Sequence, residues 1–276
     1  MSKAIEQSVK QKLKNIAKKE GVAFQILLET LFLERFMVRL ATSNYNKNFI
    51  FKGGMCLDQY LEMGRETRDL DFLMHKIESN ADKVQKIFEE VASIKMNDGF
   101  EFIDIKLDLL SIEHKKYPGY RMGVKGKLGQ IKQLITVDVG VGDVVRPKLI
   151  EVELLQDKGP IFETSIKVSA YPPEYIFAEK FEAIIHLGES NGRMKDFYDC
   201  MRIIQVTSIS KEEFKEAIEA TFSNRGTKVG LIPDYANQLA PRWSGFVRKN
   251  KISNVEIGEV ILMINEFLQK IGIKSE

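Results

Sequence analysis

The chain has 276 residues, 44% hydrophobic and 29% charged, enough for one large domain or two smaller ones with their own cores. The 41 Lys and Arg nearly balance 39 Asp and Glu, so total charge gives no argument for nucleic-acid binding, and such contact would need a local patch. Two cysteines far apart, Cys56 and Cys200, and only three histidines argue against a disulfide framework or a zinc centre.

The N-terminal stretch MSKAIEQSVKQKLK is polar and lacks the apolar core of a signal peptide. No run of about 18 apolar residues suggests a membrane span. The expectation is a cytoplasmic protein with no membrane partner, monomeric by default.

Val9, Leu13, Ile16 and Ala17 fall on one face of a helix, with lysines opposite. Gly21 ends it. From Val22 to about Ala41 the chain is apolar nearly all round, which predicts a second, buried helix. Asn44 to Asn48 is a turn-rich link. A short strand at Phe49–Phe51 leads into Lys52-Gly53-Gly54, and a helix is expected over Met55–Leu61. Asp69–Met74 alternates like a strand, and Ala81–Ala92 is helical. Phe102–Leu109, Tyr120–Leu128 and Gln133–Val141 read as successive strands, with a turn at Pro118-Gly119. A long helix is expected to start after Pro172-Pro173. The remainder to Phe267 is mostly helical, with breaks at Pro233, Pro241 and Trp243. This order predicts an α+β fold.

The segment Asp69-Leu70-Asp71-Phe72-Leu73-Met74 is the most informative. Residues two apart in a strand share a face, so Asp69 and Asp71 point together while Leu70, Phe72 and Met74 enter the core. In Leu134–Val141 the odd-numbered Ile135, Val137, Val139 and Val141 fill one face and Asp138 lies on the other. Neighbouring strands would bring three carboxylates together. Two bare charges about 4 Å apart repel by about 4 kcal/mol at an effective dielectric near 20. Carboxylate oxygens are the ligands Mg²⁺ prefers, with substrate phosphates completing its shell; such a site could hold two ions. Paired acids on a strand are also common as plain surface charges. Gly53 and Gly54, between strand and helix, would let backbone N–H groups approach phosphates; they could equally form an ordinary tight turn. The sequence matches neither GxxxxGK[ST] nor GxGxxG.

Strand, KGG, helix, then RDLDF about fifteen residues on resembles the DNA polymerase β type of nucleotidyltransferase, with its mixed sheet. More narrowly, the chain resembles the AbiEii/AbiGii toxin family. The matching pieces are SVKQKLKNIAKKEGVAFQILLETLFLERFMVRL, FKGGMCLDQYL, TRDLDF, YPGYRMGVKGKLG, ITVDVGVGD, YPPEYIFAEKFEAIIHLGESNGRMKDFYD and ATFSNRGT. The wider superfamily has Gly-Ser in its phosphate loop. The AbiEii branch commonly has two glycines, as here, and so lacks a hydroxyl ligand for the triphosphate.

The resemblance implies transfer of a nucleoside monophosphate from an NTP to the 3′ end of tRNA, blocking translation. It implies that Gly53 and Gly54, with Lys52 before them, hold the triphosphate. Asp69, Asp71 and Asp138 would bind Mg²⁺ (or Mn²⁺), with Asp138 beside the attacking hydroxyl. Lys180 would contact phosphate as a point charge, and Asp196 would orient the lysine or nucleotide. GTP or CTP is the favoured donor. A cognate antitoxin encoded nearby, a DNA-binding repressor, is the expected partner.

Each of the later residues also has a structural reading. Lys180 lies in a helix whose Phe177, Phe181, Ile184 and Ile185 would pack inward, leaving the lysine solvated. Lys195 and Asp199 could be a simple i, i+4 pair, and Arg193 and Arg68 simple salt-bridge partners. Basic residues gather at Lys10–Lys19, Lys115–Lys132 and Arg242–Lys251. The last group interleaves with Trp243 and Phe246, which would suit phosphate contacts and stacking on RNA or simply a solvated face. The expected organisation is N-terminal helices at 1–45, a nucleotidyltransferase core at 46–165 and a helical C-terminal region at 166–276. Two alternatives stay open: the same chemistry on a protein or small-molecule acceptor, and a non-catalytic binding module.

Overall fold

A computed structural model describes residues 2–63, 67, 69–110, 119–252 and 255–274. The chain divides into two compact units. One holds residues 1–56, 68–142 and 147–170, and the other 57–67, 143–146 and 171–276.

The first unit opens with helices α1 (Ser2–Glu20) and α2 (Phe24–Thr42), separated at Gly21 by a left-handed backbone (φ +69°) that glycine adopts freely. Val9, Leu13 and Ile16 are the buried stripe of α1. Helix α2 is buried along most of its length, charges included. Arg35 and Arg39 are each 1% exposed, and buried charge needs a partner. Asp98 supplies it: Arg35 Nε lies 2.8 Å from Oδ2, and Arg39 reaches both oxygens at 2.9 and 3.0 Å. Glu163 takes the outer edge of Arg35.

The sheet is built from β1 (Phe49–Lys52), β2 (Leu70–Met74), β3 (Phe100–Leu110), β4 (Gly119–Leu128), β5 (Ile131–Val141), β6 (Lys148–Glu153) and β7 (Ser165–Ala170). Helices α3 (Gly53–Leu57) and α4 (Ala81–Ser93) follow β1 and β2. The strand order is β3-β4-β5-β2-β1-β7-β6. Strands β2 and β5 are parallel, as are β1 and β7, and the other pairs are antiparallel. Helix α2 packs on β5 and β7, and α4 on β3. An aromatic cluster of Phe32, Phe36, Phe88, Phe100 and Phe102 fills that side.

The fold is α+β with a mixed sheet, as the sequence predicts. Two details differ. Helix α3 begins at Gly53 and ends at Leu57, earlier and shorter than Met55–Leu61. Strands β6 and β7 were not anticipated. Among the residues of β6 only Val152 is buried and Leu149 is 70% exposed, so its side chains lack the apolar alternation that marks a half-buried strand.

The second unit contains α5 (Pro173–Leu187), α6 (Met194–Val206), α7 (Lys211–Arg225), α8 (Ala236–Asn250) and α9 (Ile257–Lys270). Pro173 opens α5, where its missing N–H costs nothing. Helix α5 packs on α6 and α7, and α9 on α6 and α8, around rings of Phe177, Phe181, Phe214, Phe222 and Phe267. The expected breaks at Pro241 and Trp243 are corrected: both lie inside α8. Proline there forfeits one backbone hydrogen bond, but burial of Leu239 and Trp243 on either side holds the helix through it. No helix among the described residues is long and apolar enough to cross a membrane.

Candidate active site

In the first unit, register decides which side chains meet. Lys52 of β1 is the partner of Asp71 on β2, Asp71 of Asp138 on β5, and Asp138 of Arg121 on β4. Residues directly opposite share a face of the sheet. Four charged side chains therefore form one row across four strands: cation, acid, acid, cation. The flanking Leu70, Phe72, Val137 and Val139 are buried to 1% exposure or less, which fixes the acids on the opposite face through the two-residue period. Asp69 stands just before β2, exposed, two residues from Asp71.

Arg121 grips Asp138 with two hydrogen bonds, Nε to Oδ1 at 2.8 Å and Nη2 to Oδ2 at 2.6 Å. The Arg121 side chain is 47% exposed and that of Asp138 18%. The pKa of Arg121 is pushed up, chiefly by the hydrogen bonds and charge of Asp138, with smaller help from Asp69 and Asp71. Gly53, at the junction of β1 and α3, has φ +74°. A Cβ there would lie 2.6 Å from the Asp71 carboxyl carbon, so only glycine lets the backbone lie against that acid. Among the described residues no group of three or more Asp, Glu, His or Cys stands gathered as a metal cage; Asp138 is turned onto Arg121. The donor set itself, all carboxylate oxygen, suits a hard divalent cation.

In the second unit, Lys180 of α5 meets two acids of α6. Its Nζ lies 3.0 Å from Asp196 Oδ1 and 2.6 Å from Asp199 Oδ2. Both acids are fully buried and the lysine side chain is 11% exposed. Arg193 Nε comes within 2.6 Å of Asp196 Oδ2, but that oxygen has no aligned hydrogen bond, so the contact is ionic only. These positions correct two readings. Lys180 is not on a solvated face, and Asp199 pairs across to α5 rather than with Lys195. The signal was available: residues i and i+3 share a helix face, so Asp196 and Asp199 were bound to point together. Ile185 is only half-buried.

The family model described as "Nucleotidyl transferase AbiEii toxin, Type IV TA system" matches residues 35–256. This chain belongs to the AbiEii family. It is a nucleotidyltransferase and a toxin of that class, and membership implies an NTP substrate and an antitoxin partner. Among solved structures, the chain is similar to MenT4, the nucleotidyltransferase toxin Rv2826c of Mycobacterium tuberculosis H37Rv. That match has a TM-score of 0.56 and 13% identity, over 95% of this chain and 96% of that one. JHP933 of Helicobacter pylori is also similar, with a TM-score of 0.45 and 17% identity over 89% and 91%. The first likeness carries the fold. No curated protein matches the chain.

Two features of this AbiEii chain went unassigned in the sequence. Arg121 sits in the quoted piece YPGYRMGVKGKLG, and its alternation with Met122 and Val124 would have put it on the Asp138 face. Arg225, in ATFSNRGT, is the centre of an acidic cluster in the second unit. Its guanidinium lies 3.0 Å from Asp143, 3.3 Å from Glu179 and 2.7 Å from Glu182. Thr227 donates to Glu182 at 2.6 Å. Arg68 and Lys115–Pro118 lie outside the described residues. In the last basic group, Trp243 is corrected to a core residue. It is 2% exposed, donates to the Val255 carbonyl at 2.7 Å and packs on Phe246, so no face is left for a base.

Proposed function

We propose that this AbiEii toxin transfers a nucleoside monophosphate from an NTP to the 3′ end of tRNA, using Asp69, Asp71 and Asp138 as its metal-binding acids. The observation that carries the reading is the register of Asp71 against Asp138, with Lys52 next in the row. Two acids side by side on neighbouring strands are costly alone and useful around a cation. Mg²⁺, or Mn²⁺ in its place, would supply positive charge to the triphosphate and to the attacking oxygen.

The chain's own groups take the remaining roles. Asp138 accepts a hydrogen bond from the attacking 3′-hydroxyl. That oxygen forms the new bond to the α-phosphorus, the bond to pyrophosphate breaks, and the hydroxyl proton leaves toward the carboxylate. The backbone at Gly53 and Gly54 offers N–H groups to phosphate, since neither residue has a side chain to hold it away. Lys52 adds charge. Lys180 is assigned to phosphate by motif match, and Asp196, fixed in the core, holds that lysine in place. GTP or CTP is the proposed donor. A DNA-binding repressor encoded by a neighbouring gene is the proposed antitoxin, and the cytoplasm, where tRNA is, the proposed compartment.

The test is transfer of α-³²P-labelled NTPs, one at a time, to total bacterial tRNA with Mg²⁺, for the wild type and Asp69→Asn. Label on tRNA that is lost in the variant is the expected result. Label only on protein or on a small molecule would replace the acceptor, and toxicity unchanged in Asp69→Asn would replace catalysis with binding.

A further inference from the structure

We infer that Arg121 is a metal-site positioning residue: it holds Asp138 until a cation arrives, and must release it for the third carboxylate to become a ligand. The inference rests on the proposed reading of Asp69, Asp71 and Asp138 as the metal site.

The geometry is more than a surface ion pair. Exposed pairs hold long side chains in one arrangement for little gain unless the geometry is bidentate or the charges form a network. Here both carboxylate oxygens of Asp138 are engaged, at 2.8 and 2.6 Å. A bidentate fork fixes the plane of the acid as well as its charge. The two residues are register partners on adjacent strands, so the sheet itself sets the pair, with no loop to adjust. Asp71 is the register partner of Asp138 on the next strand, so Arg121 stands at the end of a row that holds two acids. Its single charge is the counter-ion on the β4 end of the row, as Lys52 is on the β1 end.

A divalent ion and this guanidinium want the same two oxygens. Occupation by one excludes full occupation by the other. Arg121 therefore lowers the cost of keeping the acids together in the metal-free protein and weakens metal binding by the same contact. Lysine at this position would keep the charge and lose the fork, which separates the two effects.

Mn²⁺ binding decides the matter, followed by the electron paramagnetic resonance signal of the free ion, without NTP. The proteins are the wild type, Arg121→Met, Arg121→Lys, Asp69→Asn, Asp71→Asn, Asp138→Asn and Asp138→Asn/Arg121→Met, each shown folded by circular dichroism. Arg121→Met is expected to tighten Mn²⁺ binding on the order of ten-fold, the scale of one charge-assisted hydrogen-bonded pair that the cation no longer has to break to reach Asp138. Arg121→Lys should fall between it and the wild type. In the Asp138→Asn background the same change should move affinity less than about two-fold, because the contested ligand is gone. Unchanged or weaker binding in Arg121→Met, or an equal effect in both backgrounds, overturns the inference while leaving the metal site intact. Wild-type binding that is absent, or indifferent to Asp69→Asn and Asp71→Asn, overturns the metal reading instead.

Discussion

Gly53 is moulded to Asp71: a side-chain carbon on the glycine would lie 2.6 Å from the carboxyl carbon and 2.8 Å from the Cβ of the acid. Its φ of +74° adds a second demand for glycine. Gly53→Ala therefore meets two penalties. The left-handed backbone costs about 1–2 kcal/mol for an L-residue, and Asp71 must move. A displacement of about an ångström at a reacting centre can cost on the order of a hundred-fold in rate. The expected outcome is a modestly lowered melting temperature and about a hundred-fold slower transfer of label to tRNA. A folded Gly53→Ala protein with wild-type transfer would remove Asp71 from the chemistry.

Lys180 must be tested in a way that separates charge for phosphate from charge for the core. Asp196 and Asp199 are both fully buried against it. Lys180→Met leaves two acids with one cation fewer, and breaking a buried pair costs about 3–5 kcal/mol. Loss of activity in that variant alone says little. Lys180→Met/Asp199→Asn removes one acid together with the lysine and should recover part of the lost stability in urea unfolding. The folded double variant is still expected to transfer label at least about a hundred-fold more slowly, the scale of a lost electrostatic contact to a transition state. Wild-type transfer by it would make Lys180 a core residue only.

Most of the fold was legible because its central elements carry period. Strands β4 and β5 alternate, and β2 does so over Leu70-Asp71-Phe72 before Leu73 and Met74 are both buried; that alternation placed Asp71 and Asp138 on the side opposite Leu70 and Val137. Register is a tertiary property, however. Nothing in the segments themselves says that Asp71 falls opposite Asp138 and Asp138 opposite Arg121. Arg35 and Arg39 escaped for a related reason: in sequence they interrupt an apolar helix, and the partners that make their burial affordable, Asp98 for both and Glu163 for Arg35, lie far along the chain. Strand β6 escaped because an edge strand with one buried residue has no pattern to read.

Arg225 and Arg146 give a paired prediction within the second unit. Arg225 is 12% exposed among Asp143, Glu179 and Glu182, and these acids push its pKa up against the effect of burial. Arg146 pairs with Glu216 at 76% and 48% exposure. Arg225→Met should cost about 3–5 kcal/mol in denaturant unfolding, because three acids are left without the guanidinium. Arg146→Met should cost at most about 1 kcal/mol, the range of exposed pairs. Equal losses would mean that the Arg225 cluster is hydrated like a surface pair.

Glu34 predicts an unusual pH dependence. Burial in α2 raises its pKa from 4.5 to about 8, against the opposing hydrogen bond from Leu155 N–H and the charge of Arg35. The folded protein therefore keeps a proton that the unfolded chain releases near 4.5. Between those values the native state binds more protons, so this residue's contribution to stability falls as pH rises, and levels off above about 8. That is the reverse of a salt-bridged carboxylate. Glu34→Gln is a neutral isostere whose amide oxygen can still accept from Leu155, now held at 3.0 and 3.2 Å. Urea unfolding at pH 5 and pH 8 tests the point. The variant should match the wild type near pH 5 and exceed it at pH 8 by a few kcal/mol, the scale of a pKa shift of several units. A variant less stable than the wild type at pH 8 would show that Glu34 is held there as a carboxylate.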